Sequence, residues 1–155
     1  MKIEEKIYKK IKNKGYKVAT AESCTGGLLA GKIINVAGAS DVIDMSFVTY
    51  SNEAKCELVN VKEETIDKYN VVSEEVAKEM AIGAKERAKC EIGLSTTGLA
   101  GPDGGDEQRP VGTVCFGIAI KDKVYTYKHL FKNVSRRYIR NASVTFILKK
   151  LDELL

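Results

Sequence analysis

The stretch "TAESCTGG", residues 20–27, sets the hydroxyls of Thr20, Ser23 and Thr25, the Cys24 thiol and the Glu22 carboxylate beside Gly26 and Gly27. A serine hydroxyl attacks a carbonyl carbon only when a neighbouring base takes its proton. Cys24 is the rival nucleophile, because a thiol at a helix N-terminus can lose its proton more easily. Neither has a histidine at hand. The chain holds one histidine, His129, in the alternating run "VYTYKHLF", where a structural or solvent-facing place is expected. A multi-histidine metal site is excluded and a histidine-based triad has a single candidate. Lysine is the remaining base, provided that desolvation keeps it neutral. Lys55 follows Tyr50 by five residues in "YSNEAK". The Tyr50 phenol could relay a proton or bind an oxyanion. Lys55 could equally be a surface lysine, as most are.

Other groups suit binding. Backbone amides from Cys24 to Gly27 at the start of a helix would hold an oxyanion or a phosphate. Spacing alone favours Ser23 or Thr25 as a plain helix cap, and both roles coexist if Thr25 caps while Ser23 reacts. Thr96 and Thr97 close a strand-like run, "EIGLSTT", ahead of a loop containing Gly98, Gly101, Gly104, Gly105 and both prolines. Glycines let loop amides approach a ligand closely. Arg136, Arg137 and Arg140 open the last helix, and Arg136 and Arg140 share a face at i,i+4. Glu22 receives no role from its position.

The elements that must carry these residues alternate in type. Ile3, Ile7 and Ile11 give residues 2–14 a helical face that Gly15 ends. A strand is expected at 16–21, a helix from Thr25 to Val36, a strand at 45–50 and a helix opened by Ser51 or Asn52. A further helix over 73–89 has Ser73 as its cap. Strands follow at 91–97 and across 112–131, where "KDK" turns a hairpin, and a long helix starts at Ser135. Helices between strands imply an α/β protein with a mixed sheet, whose strand ends bring the polar groups to one edge.

Composition sets bounds. The chain has 155 residues, 44% hydrophobic and 30% charged, with a formal net charge of +4. That suits one globular domain, 1–155. Four scattered cysteines, without a CxxC pair, speak against a zinc site or disulfide scaffold and for a reducing, cytoplasmic setting. No apolar run is long enough to span a membrane. The lysine-rich opening residues read as a solvated helix face rather than a nucleic-acid surface.

Together, "AESCTGGLLAG", "FVTYSNEAK", "VSEEVAKEMA", "TTGLAGPDGG" and "RPVGTV" resemble the CinA C-terminal domain family, from about Val18 to the end of the chain. Stand-alone members are nicotinamide-nucleotide amidohydrolases. The resemblance implies a three-layer α/β/α sandwich, and hydrolysis of the carboxamide of nicotinamide mononucleotide to nicotinate mononucleotide and ammonia. It implies Ser23 as nucleophile, Tyr50 and Lys55 as its assistants, Thr97 (or Thr96) in the site and Arg140 on the substrate. "KNVSRR" stands where the family commonly has a "GDR" turn, so the register of the arginines is open. Cys24, Thr25, Gly26, Gly27, Gly98 and Gly101 are the expected amide donors around the substrate. No metal or other cofactor is expected. The expected partners are a small nucleotide and a second copy of the chain, a dimer, with neither nucleic acid nor membrane. A nucleotide-binding regulatory module without catalysis is the competing expectation.

Overall fold

The computed structural model describes residues 1–155. Five strands form one sheet in the order β2-β1-β3-β4-β5. They are β1 (Val18–Glu22), β2 (Phe47–Val48), β3 (Ile92–Gly98), β4 (Thr113–Ile120) and β5 (Lys123–Leu130). β1 runs parallel to both β2 and β3, while β3, β4 and β5 alternate antiparallel. Six helices cover the two faces: α1 (Ile3–Lys14), α2 (Leu28–Ile34), α3 (Asn52–Val59), α4 (Glu63–Tyr69), α5 (Glu74–Ala88) and α6 (Arg136–Leu154). This is the mixed-sheet α/β architecture expected.

Side-chain size decides which helices lie where. On β3 and β4, Ile92, Leu94, Val114, Phe116 and Ile118 point to one face and join the main core with Ile7 and Ile11 of α1 and Ile139 and Ile147 of α6. Their neighbours on the other face are small: Gly93, Ser95, Cys115, Gly117 and Ala119. Successive residues of a strand alternate between faces, so the sheet has one bulky face and one nearly bare one. α5 settles directly on the bare face. The Ser95 hydroxyl donates to the Ala77 carbonyl at 2.5 Å, and a Cβ on Gly117 would collide with that same carbonyl.

Local signals act as the sequence suggests at several ends. Ser51, Ser73 and Ser135 each accept a backbone N–H at the start of α3, α5 and α6. Gly15 ends α1 in the left-handed region at φ 68. Three expectations change. α2 starts at Leu28 rather than Thr25, because residues 23–27 are tied into a turn. The strand expected over 45–50 shrinks to Phe47–Val48, held by two paired positions on β1. α4 carries no strong apolar period and was not anticipated.

The parallel trio places the chemistry. Glu22 pairs with Val48 and with Thr96, so the chain leaves β1 between its neighbours at their C-terminal edge. The Ser23 N–H donates to the Thr96 carbonyl at 3.0 Å, and the Thr49 N–H donates to the Glu22 carbonyl at 2.7 Å. The close seat of α5 on this sheet is testable. Gly117→Ala is expected to lower unfolding free energy by about 1–3 kcal/mol, seen as a lower urea midpoint with an unchanged m-value.

Candidate active site

Just past the end of β1, Ser23 is 8% exposed. Its Oγ lies 3.1 Å from Lys55 Nζ. Lys55 is the fourth residue of α3, and its side chain returns towards the sheet beneath the turn that opens the helix. The Nζ donates to the carbonyls of Thr49 (2.8 Å), Tyr50 (3.3 Å) and Ser51 (3.4 Å). No carboxylate lies within ion-pairing distance of it. The side chain is 1% exposed. Burial without a countercharge disfavours the ammonium, and the Lys55 pKa falls from 10.5 to about 8. About a tenth of the amine is therefore neutral at pH 7, rising to about half near pH 8, and able to accept the Ser23 proton.

Cys24 responds to burial in the opposite sense. Its thiol packs in the main core, and desolvation pushes its pKa up to about 12. It is no thiolate nucleophile. Its backbone N–H, by contrast, donates to no other residue's backbone carbonyl, and neither does that of Thr25. The next two amides are engaged: Gly26 N–H donates to the Ser23 carbonyl at 3.1 Å and Gly27 N–H to Glu22 Oε1 at 3.1 Å.

Glu22, unassigned from the sequence, organises this turn. Its carboxylate is 0% exposed. It accepts from the hydroxyls of Thr20 (2.9 Å) and Thr25 (2.6 Å) and from the N–H groups of Gly27 (3.1 Å), Leu29 (2.9 Å) and Ala30 (3.0 Å). An internal carboxylate thus caps α2 and complements the positive end of its dipole. Gly27 makes this possible: its φ of 100 bends the chain so that the first helical amides converge on Glu22. An acidic residue a few positions ahead of a glycine pair and a helix was the signal available in the sequence.

A cavity of about 230 Å³ opens above the serine. Ser23, Cys24, Lys55, Tyr50, Thr97 and Gly98 line it, as expected. The Thr97 hydroxyl donates to the Val71 carbonyl at 2.9 Å, which leaves its oxygen able to accept. Tyr50 is 62% exposed and its phenol receives a hydrogen bond from Arg136 at 3.2 Å. Val71, Val72, Leu99 and Ala100 supply apolar walls. Asn52 also lines the cavity, and the sequence had offered it only as a helix cap.

Five of the expected residues lie outside the cavity lining. Thr25 is fully buried, its hydroxyl committed to Glu22 and Thr96. Gly26 lies against Arg140, and Gly27 faces a groove between α2 and α6. Gly101 stands outside the lining and offers its carbonyl to Arg136 at 2.8 Å. Arg140 donates to the carbonyls of Cys24 (2.9 Å) and Thr25 (3.2 Å), bracing the turn from behind. The arginine at the cavity is Arg136. The two share a helix face, but four residues of helix separate them by about 6 Å along the axis, so only the first-turn arginine reaches the mouth. His129 sits on β5, edge-on to Phe131 and tilted against Phe146, with ring centroids 4.5 and 5.1 Å away. No group of three or more His, Cys, Asp or Glu side chains converges in the chain, and no helix is long and apolar enough to cross a membrane.

The CinA C-terminal domain model matches residues 1–155. A CinA-like protein of Chloroherpeton thalassium is 50% identical over 124 residues, 80% of this chain and 30% of that protein. The competence/damage inducible protein CihA of Agrobacterium tumefaciens superposes with a TM-score of 0.93 at 38% identity, covering 98% of this chain and 94% of that one. A competence-damaged protein (CinA) superfamily protein of Escherichia coli gives a TM-score of 0.93 at 34% identity, covering 99% and 91%. The chain spans about a third of the length of the curated relatives it matches, 34% in one at 49% identity.

Glu22→Gln tests the buried cap. An amide turns its NH₂ towards groups that themselves donate. The expected loss is about 2–3 kcal/mol, visible as a thermal midpoint lowered by roughly 5–10 °C.

Proposed function

The chain belongs to the CinA C-terminal domain family, and from that premise we propose that it is a serine amidohydrolase acting on the carboxamide of nicotinamide mononucleotide. The observation that carries this reading is the 3.1 Å contact between Ser23 Oγ and an amine buried without a countercharge. The solved relatives are named only as competence- or damage-inducible proteins. The choice of substrate rests on the family resemblance. A cavity of about 230 Å³ with apolar walls and an arginine at its rim supports it, since such a site suits a flat heterocycle with an anionic tail.

The reaction follows from the groups in place. Neutral Lys55 takes the Ser23 proton as Oγ attacks the carboxamide carbon. The carbonyl oxygen becomes an oxyanion, and the free N–H of Cys24 points to its donor site. Lys55 passes the proton to the nitrogen, the C–N bond breaks and ammonia leaves. A water then gives a proton to Lys55 and attacks the acyl carbon, and Ser23 Oγ leaves with that proton. The product leaves as a carboxylic acid that gives its proton to the released ammonia in solvent, and the neutral amine is restored. Arg136 has five N–H donors and spends one on Gly101 and one on Tyr50, so it retains donors for a 5′-phosphate. Tyr50 steadies that guanidinium. We take the setting to be the cytoplasm, where the four free cysteines would stay reduced.

Purified protein should release ammonia from nicotinamide mononucleotide, and Ser23→Ala should reduce kcat by about 10³-fold or more. Equal release by wild type and Ser23→Ala would sink the mechanism. The pH profile gives a second check. The base acts unprotonated, so kcat/KM should rise with pH and level off above an apparent pKa near 8. A rate that falls through that range would exclude Lys55 as the base.

A further inference from the structure

Six polar side chains line the cavity: Ser23, Tyr50, Asn52, Lys55, Thr97 and Arg136. Five already have partners. Ser23 and Lys55 bond to each other, and Lys55 also holds three carbonyls. The Tyr50 phenol bonds to Arg136, Arg136 to Gly101, and Thr97 to Val71. Asn52 alone makes no side-chain hydrogen bond within the protein, so its carboxamide keeps one acceptor oxygen and two donor hydrogens unspent. It is the first residue of α3, three before Lys55. Residues at i and i+3 share a helix face, which presents the Asn52 amide and the Lys55 amine to the same space.

A primary carboxamide entering this site has a specific need. Its carbonyl oxygen goes to the free Cys24 amide, and its carbon faces Ser23 Oγ. Its NH₂ then requires an acceptor. The carbonyls around Lys55 are occupied by the lysine. Resting on the amidohydrolase reading, we infer that Asn52 is the specificity determinant that accepts from the substrate NH₂ and restricts the site to unsubstituted carboxamides. The leaving nitrogen keeps its hydrogens through the tetrahedral intermediate and gains one as ammonia forms, so Asn52 Oδ1 serves it along the whole path. An ester has no N–H to offer and places an oxygen lone pair against Oδ1.

The test compares nicotinamide mononucleotide with its methyl ester analogue, measuring kcat/KM for each with wild type and Asn52→Ala. Asn52 is exposed at a helix start, so the variant should fold, and the ratio of the two substrates is an internal control for active enzyme. The amide-to-ester ratio should fall about tenfold, the equivalent of roughly 1.4 kcal/mol for one lost hydrogen bond. A ratio within about twofold of wild type, with the amide still hydrolysed, overturns the assignment of Asn52 alone. Absence of amide turnover by the wild type overturns the amidohydrolase reading and the assignment with it.

Discussion

An amine with no carboxylate beside it sits in the interior of this protein, and much of the fold is arranged around that fact. Three successive carbonyls, from Thr49, Tyr50 and Ser51, surround Lys55 Nζ and give it dipoles instead of a counterion. Dipoles satisfy its hydrogen bonds but stabilise the cation less than a formal charge would. Between about pH 8 and 10.5 the unfolded chain holds a proton on this lysine that the folded chain has released. Stability therefore rises with pH through that window, and below about pH 8 the folded state carries the full cost of the buried cation. That cost is the same free energy that makes the amine a usable base. An acidic neighbour would relieve the fold and hold the amine protonated.

The second constraint is the turn that holds Ser23. Five donors drawn from residues 20–30 converge on Glu22. They fix the turn from below, while Arg140 fixes its carbonyls from behind. The positive end of α2 is therefore spent internally. The groups at the cavity that still have donors to spare are the Cys24 amide and Arg136. Two arginines one helical turn apart thus have different surroundings, one bracing the backbone and one at the cavity rim.

The sheet explains why these parts stay in register. α5 packs against glycine, serine and alanine on β3 and β4, so it approaches the sheet closely and its Ala77 carbonyl bonds Ser95. The same alignment brings the Val71 carbonyl to the Thr97 hydroxyl and Val72 into the cavity wall. The Arg109 guanidinium reaches the carbonyls of Val72 and Tyr69 at 2.7 and 2.8 Å, tying the glycine-rich loop to the same segment. The wall opposite Ser23 is thereby fastened to the strands that carry the serine.

Local chemistry in the sequence determined a good deal. Serines ahead of α3, α5 and α6 marked their starts, since capping needs only a few neighbouring residues. The alternating bulky and small residues of β3 and β4 specified a two-faced sheet. The lone histidine left lysine as the candidate base for a serine nucleophile. What the chain alone could not decide was anything set by distance across the fold. Lys55 reads as an ordinary surface lysine until its helix is packed against β1, because burial is a property of the assembled layers. Thr25, Gly26, Gly27 and Gly101 looked like ligand contacts because glycine and hydroxyl residues suit both anion binding and tight turns, and only the position of Glu22 and Arg136 separates the two uses. The choice of Arg136 over Arg140 depends on where the N-cap of α6 falls relative to the cavity. Asn52 stands out only when the partners of every other lining group have been assigned, which requires the tertiary structure that assigns them.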